Sequence, residues 1–546
     1  MIKRCTTLFL LMALLVTSQA VQAQGAGGVS SSPFMSVLLA IVVIIAFFII
    51  VQVADNLLRL EARKTGADKG GANFSIFPGL GEIFKPKAPA YANGSDITVL
   101  KKGFEIKLEG AAQPHIDSTV KASTFCVQPN NFRGLSPIPK MLVEVGDTVK
   151  AGDHLFFDKK NEDVKYVAPV SGEIIAINRG DRRAIVEVVI LADKDQQYKS
   201  LPVFDLEQSS REALVAYLME NGGWTFLRQR PYDIIANHLE VPDNIFISTF
   251  DSAPLAPDNN FVVEGRGDAF QKGLEVLAKL TKGKVHLGLN AAGEMPPSSV
   301  FTEAKGVEKH WFQGQHPSGN VGIQIHHISP ITPRTTVWTL GVQEVISLGA
   351  IFTEKRFNAE RIVAITGAEL QAPKYVRTFI GANVGDLVKG NLTNDHVRFI
   401  SGDVLSGKQK GPENFLNYYD DQLTVVTEGD FYEIFGWLLP DLGTPSASKA
   451  LPGWLFPDTK YTVNTNLHGE KRAFVVTGQY EDVLPMDIYP QHLMKAIITN
   501  DYEKMEGLGI HELVEEDLAI CEYVCTSKQP LQQILRQGLD MMHEQG

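Results

Sequence analysis

The run Met35–Val53 holds nineteen residues of which only Ser36 and Gln52 are polar. A helix of that length spans about 28 Å at about 1.5 Å per residue, close to the thickness of a bilayer core. A buried helix of a soluble domain normally keeps a polar stripe, and this run has none. It therefore predicts a transmembrane helix over residues 35–54. Gln24–Phe34 on one side carries no charge, whereas Arg59, Arg63, Lys64 and Lys69 follow on the other. The positive-inside rule then places everything after residue 54 in the cytoplasm, behind a single anchor in the inner membrane. Upstream, Lys3 and Arg4 precede an apolar stretch, and Val21-Gln22-Ala23 offers small residues for cleavage. Residues 1–23 are expected to be a signal peptide or a first transmembrane helix. Residues 55–95, with Gly, Ala and Pro78, Pro86 and Pro89, read as a linker.

The remaining chain is long enough for several folded units. A formal charge of −12 and the lack of a strongly basic segment argue against nucleic acid. Four cysteines, Cys5, Cys126, Cys521 and Cys525, are too few for a disulfide scaffold or for a cysteine-rich electron carrier.

Residues 96–200 read as short strands. Val145-Gly146-Asp147 and Gly152-Asp153 place turn residues between apolar positions, and strands are expected over Glu173–Asn178 and Ala184–Leu191. The pattern resembles the barrel-sandwich hybrid of biotinyl and lipoyl carriers. Lys159 and Lys160 lie near the hairpin tip, but Met-Lys-Met is missing, so an unmodified carrier fold is expected. Residues 201–350 read as a Rossmann-like α/β unit. Ser209-x-x-Glu212 has the form of a capping box, Gly222-Gly223 stops that helix, and Ile245–Thr249, Asp268–Thr281 and Lys284–Leu289 form one βαβ crossover. Gly265-Arg266-Gly267 is a loop before a helix and no dinucleotide fingerprint. Residues 351–450 are β-rich again, with strands at Ile362–Thr366, Phe379–Asn383 and Val397–Ile400, and resemble an SLBB β-grasp domain. Residues 451–546 are helical; Leu531, Ile534, Leu535, Leu539 and Met542 make one apolar stripe, read as core packing.

This order of parts, with the phrases Asn178-Arg179-Gly180, Trp224-Thr225-x-Leu227-Arg228-x-Arg230-Pro231, His316-Pro317-x-Gly319, Phe435-Gly436-Trp437 and Glu515-Glu516-Asp517-Leu518-Ala519, resembles the NqrA family of the sodium-translocating NADH:quinone reductases (Nqr). The resemblance covers about residues 97–546, and the family is related to the RnfC proteins of Rnf complexes and to the flavin-binding subunit of respiratory complex I. The membrane segment lies outside the usual family pattern.

The relatives' chemistry needs residues that this chain has replaced. Flavin-binding relatives cradle the FMN phosphate on a glycine loop, because backbone N–H groups reach an anion only where side chains are absent. The matching stretch is Gly222-Gly223-Trp224-Thr225-Phe226-Leu227-Arg228, and the relatives' Asn and Glu contacts fall at Ser248, Asp251 and Ala253. Two four-iron clusters need eight thiolates. One run has become Tyr480–Pro485 and the other keeps only Cys521 and Cys525. The C-terminal part is thus expected to be a ferredoxin remnant without clusters. His310, His316, His326 and His327 match no zinc spacing, and no metal site is assigned.

The resemblance implies a cytoplasm-facing subunit with quinone-side or assembly work, in a complex coupling NADH oxidation and quinone reduction to Na+ export. FMN, FAD and Fe–S centres are expected in the partner Nqr subunits, NqrB to NqrF, with no cofactor bound by this chain and no catalytic residue in it. The candidate quinone site is the altered flavin loop, with Trp224, Phe226 and Tyr232 as walls and Arg228 and Arg230 as donors; the alternative is that the aromatics fill the vacated pocket. Two rivals are a membrane-anchored SLBB and barrel-sandwich adaptor, which would face the periplasm, and an Rnf-type electron carrier, which would need six more cysteines.

Overall fold

The computed structural model describes residues 89–92, 95–293, 295–432, 443–447, 455–456 and 458–545, with helical positions 41–43, 47, 51, 54 and 57. The signal segment 1–23, most of Met35–Val53 and the phrase Phe435-Gly436-Trp437 lie outside the described residues. Among the described residues no helix is long and apolar enough to cross a membrane. The chain divides into two units, Met1–Lys87 and Ala88–Gly546, and the second carries the fold below.

A seven-stranded sheet is its centre. The strand order is Ile97–Val99, Glu308–Gln313, Val285–Asn290, Asn244–Ser248, Val337–Leu340, Arg228–Arg230 and Ile234–Ile235. The first five are parallel, and the last two join antiparallel at one edge. Parallel strands need long crossovers. The helix Gly267–Leu280 supplies one, with Phe270, Leu274, Leu277 and Leu280 buried along one face. The predicted βαβ unit is therefore present, each element displaced by about one residue. Its preceding helix, Arg211–Glu220, is capped by Ser210 accepting from the Ala213 amide. The expected cap was Ser209; the two neighbouring serines are chemically equivalent, and only the helix phase chooses between them.

Two smaller sheets form the barrel-sandwich. One orders Thr124–Val127, Ile185–Ala192, Gly172–Arg179 and Thr148–Val149; the other orders Lys140–Met141, His154–Asp158 and Asn161–Val167. Lys159 and Lys160 form the exposed turn between the last two strands. The segment before this sandwich lends its strands elsewhere. Ile97–Val99 completes the edge of the large sheet, and Gln113–Asp117 pairs parallel with Lys374–Phe379. Each capture covers a sheet edge that would otherwise expose unpaired backbone groups.

A six-stranded sheet follows, with Glu360–Thr366 between Gln422–Thr427 and Lys374–Phe379. The strand expected at Phe379–Asn383 ends at Phe379. Asn383 instead caps the short helix Val384–Val388, its side chain accepting from the Asp386 amide. Asn competes well for that role and poorly for a strand. The C-terminal helices include Pro490–Ile498, Glu515–Val524 and Leu531–Gln545, and Leu531, Ile534, Leu535 and Leu539 are buried as the stripe predicts.

Candidate functional site

The carboxyl ends of the central parallel strands open into a cleft of ≈ 350 Å³. Ser248 and Leu340 come from that sheet edge, Arg133 from the barrel-sandwich, Asp403 and Asp421 from the six-stranded sheet's loops, and Glu515 and Glu516 from the start of a C-terminal helix. Ligands of open α/β sheets bind at this edge.

The five residues expected at a quinone site do not share the cleft. Only Arg228 lines it. Its guanidinium lies 5.2 Å from the Tyr419 ring centroid and 3.6 Å from the Asp233 carboxylate. Trp224 and Phe226 are wholly buried. Trp224 meets Trp338 edge-on at 5.3 Å, and Phe226 stacks on Phe357 at 5.7 Å. Arg230 turns to the helical domain, bonding Asp517 at 3.1 Å and Glu516 at 2.7 Å. Tyr232 packs beside His511 and His543. The residue that sequence reasoning missed is Tyr419, whose hydroxyl donates to the Thr225 carbonyl at 2.7 Å. No local signal joins it to Arg228 across the sequence.

The loop read above as an altered flavin cradle is packed with its own side chains. Gly222 sits at φ +78°, and a Cβ there would lie 2.4 Å from Val167 Cγ2; one on Gly223 would lie 2.9 Å from Ile351 Cδ1. The left-handed backbone and the Val167 contact demand glycine at position 222, whereas a Cβ at 223 would have to displace only the flexible ends of Ile351 and Leu218. The next three residues, Trp224, Thr225 and Phe226, are buried.

The cleft's charge is lopsided. Eight carboxylates line it, Asp403, Asp420 and Asp421 among them, against the cations Arg133, Arg228 and Lys408. Two of those cations are already engaged: Arg133 contacts Asp233 and Glu515, and Arg228 contacts Asp233. Burial pushes Asp233 upward, but Arg228 and Arg133 outweigh it and hold the carboxyl at about 2. A phosphate entering here would meet repulsion with little free positive charge to offset it. These residues do not fit a flavin phosphate.

In the helical domain the two cysteines face a tyrosine. Cys521 and Cys525 are buried, and the Tyr480 hydroxyl lies 2.9 Å from Cys525 Sγ. Burial drives the Cys521 thiol far above its ordinary range, so it stays protonated. The four histidines weighed as ligands are scattered. His316 lies 3.1 Å from Ser252 Oγ, His326 pairs with Glu512 at 2.7 Å, and His327 contacts the Ile323 carbonyl. His310 lies instead beside His286.

Three family models match in chain order. They describe the NqrA N-terminal barrel-sandwich hybrid domain over residues 98–193, the NqrA second alpha/beta domain over 209–357 and the NQRA C-terminal domain, an SLBB domain, over 362–411. The NqrA protein of the Na(+)-translocating NADH-quinone reductase of Alcanivorax borkumensis is 36% identical over 451 residues, which are 82% of this chain and 99% of that protein. The chain belongs to the NqrA family. The corresponding protein of Saccharophagus degradans is 37% identical over 450 residues, again 82% of this chain and 99% of the relative. The chain is thus one subunit of a Na+-translocating NADH:quinone reductase, a membrane complex, and works with other Nqr subunits. Its architecture is multidomain α/β: barrel-sandwich hybrid, α/β domain, SLBB domain and C-terminal helices. A solved NAD+-reducing [NiFe]-hydrogenase in the air-oxidized state aligns with 10% identity and a TM-score of 0.31 over 63% of this chain and 66% of that one, too loosely to inform the fold further.

Proposed function

We propose that this subunit does the assembly work of the complex on its cytoplasmic side, tethered by the helix expected over residues 35–54. NADH, FMN, FAD and Fe–S chemistry belong, in this reading, to the partners NqrB to NqrF, and the chain binds no redox cofactor itself. The observation that carries the reading is the burial of Trp224 and Phe226 in the core at the position of the relatives' flavin loop. A loop converted from ligand contact to packing makes a rigid body suited to docking. The acidic cleft, the Tyr480–Cys525 contact and the protonated Cys521 agree with it.

A second reading keeps a quinone head group in the cleft, favoured by Arg228 lining it under the Tyr419 ring. A flat neutral ring suits one aromatic wall and one cationic donor. One experiment separates the two. In the assembled complex, Arg228→Ala leaves quinone reduction unchanged if the role is assembly. A raised quinone KM or lowered kcat, with NADH oxidation by an artificial acceptor intact, overturns that reading in favour of the second. A charged donor to a carbonyl contributes about 1.5–3 kcal/mol, a loss of roughly tenfold or more.

A further inference from the structure

At the opposite, amino-terminal edge of the central sheet, three ligand-type side chains converge. Val285–Asn290 and Glu308–Gln313 are parallel neighbours in a register that pairs His286 with Glu308 and Gly288 with His310. Cross-strand partners and residues two apart share a face, so His286, Glu308 and His310 lie on one side. Gly288 leaves the fourth position without a side chain. One donor atom from each of the three lies within 4.8 Å of the others, and this is the only such group of three or more His, Cys, Asp or Glu among the described residues. His286 Nδ1 is 2.9 Å from His310 Nε2 and 3.6 Å from Glu308 Oε2.

The surrounding hydrogen bonds orient these groups for a metal. Asn244 Oδ1 accepts the backbone N–H of Lys284 at 3.0 Å, so that atom is the carbonyl oxygen. The same oxygen lies 3.2 Å from His286 Nε2, which must therefore carry the ring proton. The Nδ1 lone pair is left facing His310 and Glu308. An outer carbonyl that fixes the imidazole tautomer is the arrangement found behind histidine ligands to metals. Phe246 stacks on the His286 ring at 4.6 Å and holds its plane. Lys284 engages Glu308 Oε1, leaving Oε2 toward the histidines. Glu308 is 41% exposed, so the group is open to solvent on that side.

We propose that His286, Glu308 and His310 form a binding site for a borderline divalent transition-metal ion, with Zn2+ the best match and water at the fourth position. A tetrahedral zinc centre with bonds of about 2.1 Å has edges of about 3.4 Å, and the 2.9 and 3.6 Å separations straddle that value. Two imidazoles and one carboxylate suit zinc better than calcium or magnesium, which take oxygen ligands. The neutral His310 ring frees Nε2 by moving its proton to Nδ1. The ion ties two strands together at the edge of the sheet remote from the cleft.

The test uses the untagged full-length chain in detergent, stripped with a chelator and titrated with Zn2+ alone by calorimetry. Co2+ substitution reports a tetrahedral site by its visible absorption. The expected result is one tight equivalent per chain. Affinity falls about tenfold or more in Glu308→Gln, an exposed change that spares the fold, and further in His310→Ala. His396→Ala, in an exposed pair with Asp430 on another sheet, leaves it unchanged. Lys284→Gln tightens binding by removing a competing cation. The proposal is overturned if the wild-type chain takes up no equivalent at micromolar zinc, or if Glu308→Gln and His310→Ala bind as the wild type does.

Discussion

The indole N–H of Trp224 donates to the Ala236 carbonyl at 2.8 Å, which holds the ring inside the core and away from the cleft. Removing that ring leaves both a cavity and an unpaired buried carbonyl. Trp224→Ala should therefore lower unfolding stability by about 3–5 kcal/mol, measured by denaturant titration. Quinone kinetics of whatever complex still assembles should be unchanged. A quinone defect at normal stability would return Trp224 to a ligand site.

Arg230 and Asp517 join the central sheet to the C-terminal helices, and their side chains are 2% and 0% exposed. Arg230→Met strands a buried carboxylate and should cost about 3–5 kcal/mol. Adding Asp517→Leu should recover part of that loss, because no fully buried charge is then left unpaired: Glu516, the other partner of Arg230, is 36% exposed and keeps access to water, while the buried Val514 amide loses its acceptor. A double variant no more stable than Arg230→Met would show that the pair does not act as a unit.

That pair also marks the limit of what was legible beforehand. Local period and turn chemistry revealed the βαβ crossover, the hairpin strands and the last helix stripe, because each signal lies within about fifteen residues. Partners brought together only by topology leave no such trace. Arg230 and Asp517 are 287 residues apart, and Ile97–Val99 finds its neighbour at Glu308–Gln313. The histidines show the same limit. Their spacing near residue 310 was visible, but the one that matters, His286, comes from the adjacent strand by register. Arg228 was legible as a polar candidate in an aromatic phrase. Which of its neighbours turned inward depended on the core.

The chain from residue 95 onward should purify without visible colour. The flavin loop is packed by Trp224 and Phe226, and Tyr480 sits against Cys525. Stoichiometric flavin absorption, or iron and acid-labile sulfide near four per chain, would defeat the proposal that partner subunits hold these centres.

Topology is open to direct labelling. In Ser30→Cys and Ser75→Cys variants, a membrane-impermeant thiol reagent added from the periplasmic side should reach the first and not the second. Labelling of the second from that side would reverse the orientation drawn from Arg59, Arg63, Lys64 and Lys69.

His316 should make stability depend on pH. The ring is 5% exposed, and its Nε2 has no hydrogen-bond partner. Burial lowers its pKa to about 4, against an opposing pull from Asp403. In the unfolded chain the value returns to about 6.5. Between those limits the unfolded chain binds a proton that the folded one refuses. Stability from this group is therefore complete above pH 6.5 and is lost as the pH falls toward 4. Asn offers a neutral amide near the position of Nδ1 and cannot titrate, so His316→Asn should flatten that part of the pH profile in urea unfolding. Equal slopes for the two proteins between pH 6.5 and 4 would assign the acid sensitivity to other groups.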